Sequence, residues 1–208
     1  MTEIITTGIL ALAVGLAVGY FIRLDMADVT GLSRKAAKDG MKALADELNY
    51  ELEAPRTPQQ QGGLKKDLPG FSITVDTLLS RIQVTFDETT DLRLSSLSKN
   101  HIGADDLAPL DFSSSRLNRF FPLRAAGTSW NENRDELEAL LLPLVEAFDS
   151  RQVDYLYVKD QYLRIGFYHR NYLPLSVLHG ALPVLETFGK GLVNLQQQRQ
   201  QQSSHGNH

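Results

Sequence analysis

Residues 153–168 read VDYLYVKDQYLRIGFY, and this stretch decides the fold class. Apolar and polar side chains alternate on both sides of Lys159-Asp160-Gln161, which is typical of two β-strands joined by a tight turn. The stretch therefore predicts an antiparallel β-hairpin. The pairs that such a turn would bring together include Tyr157 with Arg164, Leu156 with Ile165, and Tyr155 with Gly166.

Strict alternation also assigns the two faces of this predicted hairpin. The face that would point towards the helices is aliphatic and consists of Leu156, Val158, Leu163, Ile165 and Phe167. The opposite face collects Tyr155, Tyr157, Lys159, Tyr162, Arg164 and Tyr168. Because tyrosine and arginine are enriched at binding hot spots, Tyr155, Tyr157, Tyr162, Arg164 and Tyr168 form a candidate partner-binding surface. Tyrosine also simply suits strands, so the alternative is that another segment of the same chain covers this face.

The remaining elements on either side of this stretch mix strands and helices without regular alternation. Alternating patterns predict strands at residues 49–53, 71–75, 82–86 and from Leu92, and helical periodicity predicts helices over 32–48, 134–149 and 172–195. Pro143 lies inside the second of these helices, where it predicts a kink or a break. The predicted fold is α+β, with a mainly antiparallel sheet packed with helices behind a single N-terminal transmembrane helix.

Arginine and phenylalanine interleave between Phe112 and Ala126, a composition that can also stack on single-stranded nucleic acid. We interpret this segment as a strand with one apolar face and not as a nucleic-acid-binding surface, because the formal net charge of the chain is −4. Nucleic-acid-binding domains are usually basic, so no nucleic-acid partner is expected.

The N-terminal run Ile4–Ile22 reads IITTGILALAVGLAVGYFI and predicts an uncleaved membrane anchor. At about 1.5 Å rise per residue it spans roughly 28 Å, close to the roughly 30 Å apolar core of a bilayer. A cleaved signal peptide is the alternative, but it would need a basic start, a shorter apolar core and a small-residue cleavage site. Met1-Thr2-Glu3 holds no Lys or Arg, and the run ends in Arg23-Leu24-Asp25.

The basic residues near this run all lie on its C-terminal side. The positive-inside rule therefore predicts a single-pass protein of the inner (cytoplasmic) membrane, with its N-terminus outside and its soluble domain in the cytoplasm. Four of these residues, Arg34, Lys35, Lys38 and Lys42, also line one side of a predicted helix. There they would either contact anionic lipid headgroups or form a solvated face that only enforces topology.

Small residues recur every four positions within the predicted anchor, at Thr7, Ala11, Gly15 and Gly19. Such a groove allows a second helix to approach closely, so it is a candidate packing surface for a protein partner or a second copy of the chain. The alternative is that small residues are common in membrane helices in any case.

The chain is expected to divide into an anchor, a juxtamembrane part, a folded domain and a tail. The expected boundaries are 1–24, 25–54, 55–195 with a possible subdivision near 96–111, and a glutamine-rich disordered tail at 196–208. The chain contains no cysteine, which excludes disulfides, thiolate ligands and a cysteine nucleophile. His101 lies near Asp105 and Asp106, but a single histidine with no second one at ligand spacing is a weak signal for a metal site. No cofactor is expected.

The segment Lys42-Ala43-Leu44-Ala45-Asp46-Glu47-Leu48 follows the predicted anchor, and Asp111-Phe112 through Phe121 precedes a leucine-rich helix. With the β-rich middle between them, this layout resembles uncharacterised bacterial membrane-anchored domains of unknown function across most of residues 30–190. The resemblance implies no activity, because it carries no catalytic residues.

The function that the sequence favours is that of a membrane-tethered accessory or scaffold protein acting through protein–protein interactions at the cytoplasmic face. A small-ligand sensor is the first alternative, since pockets are invisible in a sequence. An enzyme is the second and is disfavoured, because no nucleotide-binding loop, nucleophile elbow or metalloprotease motif is present.

Overall fold

A computed structural model describes residues 35–55, 62–97, 107–148, 153–168 and 173–205. The chain divides into two units, Met1–Gly40 and Met41–His208. Of the first unit, the structure describes only the helical residues 35–40. The elements below, apart from the start of the first helix, belong to the second unit.

The predicted anchor Ile4–Ile22 lies outside the described residues, and so do its packing positions Thr7, Ala11, Gly15 and Gly19. Arg34 and His101 lie outside them as well. Within the part of the chain that the structure describes, no helix combines the length and the apolar character needed to cross a bilayer.

Seven antiparallel strands form one sheet, and four helices accompany it among the described residues. The strands are β1 (Glu51–Glu53), β2 (Gly63–Leu68), β3 (Phe71–Asp76), β4 (Arg81–Ser95), β5 (Ala108–Pro109), β6 (Leu123–Ala126) and β7 (Val153–Phe167). The helices are α1 (residues 35–48), α2 (Ser115–Phe120), α3 (Arg134–Phe148) and α4 (Leu175–His205), and Thr128–Trp130 forms a short 3-10 helix. The predicted α+β class with an antiparallel sheet is confirmed.

The long strand β4 organises the sheet because it has a different neighbour along each half. Its first half pairs with β3 and its second half with β6, in the order β1-β2-β3-β4-β6-β5. Strand β7 pairs with β4 along both halves, from Arg81 opposite Gly166 to Ser95 opposite Tyr157. The two strand signals predicted at residues 82–86 and from Leu92 are therefore one strand.

The predicted hairpin at residues 153–168 is instead a single strand whose pairing partner is β4. The register shifts near Asp160, which has a φ of 53°. Tyr155 nevertheless lies against Gly166, and Arg164 contacts Tyr157. An extended strand would hold Tyr155 and Gly166 about 36 Å apart, so β7 must bend sharply between these two residues while it stays paired with β4.

The helices bury one face of the sheet. Phe71, Ile73 and Val75 of β3 alternate with partly exposed residues and are at most 1% exposed. Helix α4 can pack closely here because Gly189 lies directly against the ring of Phe71 and Gly191 against Leu140 of α3. A side chain at either glycine would overlap those neighbours, so small residues determine the approach of α4 to the core.

Four other elements differ, wholly or in part, from the sequence predictions. Strand β2 was not predicted, because its sequence GLKKDL shows little apolar alternation. Residues 115–120 form α2 rather than part of a strand, with the Ser114 side chain capping the helix at Leu117 N. The glutamine-rich segment predicted to be disordered is helical as far as His205, within α4. Helix α3 continues through Pro143 without a break.

Candidate functional site

The candidate site lies on the face of the sheet that points away from the core. Leu156, Val158, Leu163 and Ile165 are fully buried, as the alternation predicted. Tyr155, Tyr157, Tyr162 and Arg164 point to the opposite side and are half-buried. We call these four residues the tyrosine face. Their predicted role in partner binding stays a prediction.

Arg164 is the centre of the tyrosine face. Its Nε donates a hydrogen bond to Gln83 Oε1 at 2.7 Å, and its Nη1 donates one to Tyr157 Oη at 2.9 Å. The guanidinium carbon lies 4.6 Å from the ring centroid of Tyr162 and 6.0 Å from that of Tyr157. Two hydrogen bonds and two cation–π contacts therefore fix this cation in one orientation.

Tyr155 extends the aromatic surface along β7. Its ring stacks on that of Tyr157 with centroids 5.8 Å apart and an interplanar angle of 23°. The ring also covers Gly166, where any side chain would overlap it. Burial raises the pKa of the Tyr155 hydroxyl, Tyr157 adds to this, and Arg81 and Arg164 oppose it. Tyr155 is therefore a neutral hydrogen-bond donor at physiological pH.

The structure brings four of the five predicted partner-binding residues into contact with one another, and the fifth is Tyr168. Tyr168 is 62% exposed and lines a cavity beside the end of β7 instead. Gln83, which orients Arg164, was missed by sequence reasoning. It faces Arg164 because β4 and β7 pair in the register Gln83 to Arg164, and no local signal in the sequence shows that pairing.

The cavity beside Tyr168 has a volume of about 440 Å³. Its lining combines aromatic, aliphatic and charged side chains: Ser96, Leu97, Arg116, Arg119, Phe120, Phe148, Val153, Asp154 and Tyr168. Arg116 also pairs with Glu146 across 3.2 Å at the surface. A cavity of this size can hold a small amphiphilic group. Sequence reasoning missed this site, because its residues come from five separate segments.

A second cluster of charges lies at the C-terminal part of α4 and is structural. Asp91 accepts a hydrogen bond from Trp130 Nε1 and lies 3.3 Å from Arg199 Nη2. The Arg199 guanidinium carbon lies 3.9 Å from the ring centroid of Trp130. Trp130 is fully buried, so these contacts attach the end of α4 to the sheet.

The predicted lipid-contacting residues that the structure describes are not part of either cluster. Lys35, Lys38 and Lys42 are exposed on α1, and nothing in the structure tests their predicted contact with lipid. The described residues contain no group of three His, Asp or Glu side chains placed to hold a metal ion.

Comparison with known proteins found a distant structural similarity. No family model and no curated protein matches the chain. The crystal structure of the mycobacterial trehalose monomycolate transport factor A, TtfA, matches with 8% sequence identity and a TM-score of 0.45. That match covers 75% of this chain and 94% of the other.

Proposed function

We propose that this chain is a membrane-tethered accessory protein that binds another protein through the tyrosine face. The observation that carries the proposal is the arrangement of Arg164, which Gln83 and Tyr157 hold on a half-buried surface beside Tyr162.

A pre-oriented aromatic and cationic surface suits protein recognition for two physical reasons. Tyrosine and arginine provide large contact areas that keep a polar group available, which is why they dominate binding hot spots. Side chains that are already ordered lose little entropy on binding. The stacked rings of Tyr155 and Tyr157 and the two hydrogen bonds of Arg164 supply that order here.

The tether and its orientation belong to the same proposal. The apolar run Ile4–Ile22 would hold the domain at the inner membrane with the tyrosine face in the cytoplasm. Arg34, Lys35, Lys38 and Lys42 would lie near anionic headgroups, and the groove of Thr7, Ala11, Gly15 and Gly19 would pack against a partner helix or a second copy.

Site-specific photocrosslinking in the native host tests the surface directly. A benzophenone amino acid replaces Tyr157, and the matched control carries it at Glu136 of α3, an exposed helical position outside the sheet. We expect a discrete crosslinked protein at residue 157 and none at residue 136. Equal products from both positions, or none from either, would contradict the proposal.

Substitutions of the same residues test whether the surface carries the affinity. We expect Tyr157→Ala and Arg164→Ala each to weaken partner binding by about tenfold or more, as hot-spot truncations do. Lys65→Ala on β2 is the control and should leave binding unchanged. Thermal unfolding is measured in parallel. A fall in Tm of more than about 5 °C in both variants would identify the face as structural instead.

A further inference from the structure

Two exposed leucines stand side by side in the turn between β3 and β4. The described residues contain five large hydrophobic side chains that are exposed, and Leu52 on the edge strand β1 is one of them. The other four are Leu78, Leu79, Leu97 and Tyr168, with exposed fractions of 38%, 56%, 37% and 62%. Single exposed apolar residues are ordinary, but a cluster of them marks an interaction surface.

Two structural links connect the segments that carry these four residues. Leu97 and Tyr168 line the same cavity. Phe167 N donates to Ser80 O at 3.0 Å, which continues the β4–β7 pairing to the residues that precede Tyr168 and follow Leu79. We call Leu78, Leu79, Leu97 and Tyr168 the apolar patch.

The two leucines stand on a hydrogen-bonded turn between β3 and β4. Asp76 Oδ1 accepts hydrogen bonds from Leu78 N at 3.0 Å and Leu79 N at 3.1 Å. Thr77 Oγ1 donates to Gly62 O at 2.7 Å, and Ser80 has a φ of 46°. Turn positions usually carry Gly, Asn, Asp or Ser, so two leucines held outward at a tight turn are costly to expose unless something covers them.

Charges around the apolar patch are present but balanced. Arg116 and Arg119 line the cavity together with Asp154, and Arg116 also pairs with Glu146. A surface with balanced charge is not attracted to one strongly charged partner. Tyrosine and arginine are, however, the side chains that occupy the boundary between the headgroups and the acyl chains of a membrane.

We propose that the Leu78-Leu79 turn inserts into the headgroup region of a phospholipid bilayer, with Tyr168 and Arg119 at the level of the headgroups. A protruding pair of leucines fits a fluid lipid surface, which can close around it, and burial of apolar area drives the insertion. This rests on the membrane tether of the proposed function. Residues 23–34 follow the predicted span, and twelve residues can reach about 40 Å, longer than the roughly 30 Å diameter of a small domain.

Because the chain has no cysteine, a single cysteine can carry a fluorophore at one chosen position. The full chain with Leu79→Cys is labelled with an environment-sensitive dye and reconstituted into phosphatidylcholine vesicles. The control is Gln197→Cys, an exposed position of α4 near the end where Gln200 contacts Glu88. We expect the dye at residue 79, and not the dye at residue 197, to show a blue-shifted emission that spin-labelled lipid quenches. The result should be the same in 0.5 M salt and in phosphatidylglycerol vesicles.

Equal emission from both labelled positions, in chains that float with the vesicles, would overturn the proposal. The apolar patch would then be a surface for a protein partner. Loss of the blue shift at residue 79 in 0.5 M salt would show that electrostatic attraction, and not burial of apolar area, drives the insertion. Leu78→Ser in the labelled chain should reduce the quenching at residue 79, whereas Tyr157→Ala should leave it unchanged. Failure of the chain to float with vesicles would count against the tether of the proposed function, which separates the two proposals.

Discussion

At the scale of single residues, the buried side chain of Glu138 accepts two backbone hydrogen bonds. Glu138 of α3 is 8% exposed and accepts hydrogen bonds from Ser113 N and from Ser114 N, the latter at 3.1 Å. These two N–H groups lead into α2 and have no helical partner of their own. The carboxylate therefore stabilises the start of α2 and connects it to α3.

We expect Glu138→Ala to lower the free energy of unfolding by about 2 kcal/mol, because two partly buried hydrogen bonds to a carboxylate are lost. Urea unfolding followed by circular dichroism measures this change. Glu136→Ala removes an exposed acid from the same helix and should change the free energy by less than about 0.5 kcal/mol. Equal effects of the two substitutions would show that the contacts of Glu138 contribute nothing.

At the scale of elements, α4 is longer than its apolar pattern. The apolar stripe ends at Leu195, but the helix continues to His205. Gln196 is 8% exposed, Arg199 contacts Trp130 and Asp91, and Gln200 Nε2 donates to Glu88 at 2.8 Å. Glutamine and arginine form helices readily, so these few contacts are enough to continue the helix.

Truncation after Leu195 should therefore destabilise the domain by about 2 kcal/mol or more, since the cation–π contact and the charged hydrogen bonds of Arg199 are lost. Truncation after Gln201 retains these contacts and should be nearly neutral. Thermal unfolding of both truncated chains beside the full chain measures the difference. A neutral result for the shorter chain would mean that the end of α4 adds no stability.

At the scale of the whole molecule, two tyrosines with raised pKa values make stability fall at alkaline pH. Burial raises the pKa of Tyr50 above its ordinary value near 10, and the charge of Glu186 raises it further. The pKa of Tyr155 is raised as well, mainly by burial. Because the unfolded chain loses these protons first, stability is complete below about pH 10 and falls as the pH rises further.

We expect the free energy of unfolding to fall above pH 10 with a slope of up to about 1.4 kcal/mol per pH unit from Tyr50. Tyr50→Phe should remove that contribution, and Tyr168→Phe, at an exposed position, should not. Guanidinium unfolding at pH 9, 10 and 11 compares the slopes. Identical slopes in the wild type and Tyr50→Phe would contradict the assignment.

The sequence by itself determined those features that depend on near neighbours in the chain. Period-two alternation placed the two faces of β7, and helical periodicity located α1, α3 and most of α4. Each of these patterns arises because one side of the element is buried, so a local stretch carries the signal.

Only the tertiary structure decided what depends on pairing between distant segments. Alternation in β7 is the same whether its halves pair with each other or with β4, so the sequence could not choose β4. The contact of Gln83 with Arg164 and the hydrogen bond of Phe167 N to Ser80 O follow from that pairing, and the ion pair of Arg199 with Asp91 follows from the packing of α4 on the sheet. They join residues far apart in the chain, and the free energy that selects them comes from packing the whole core.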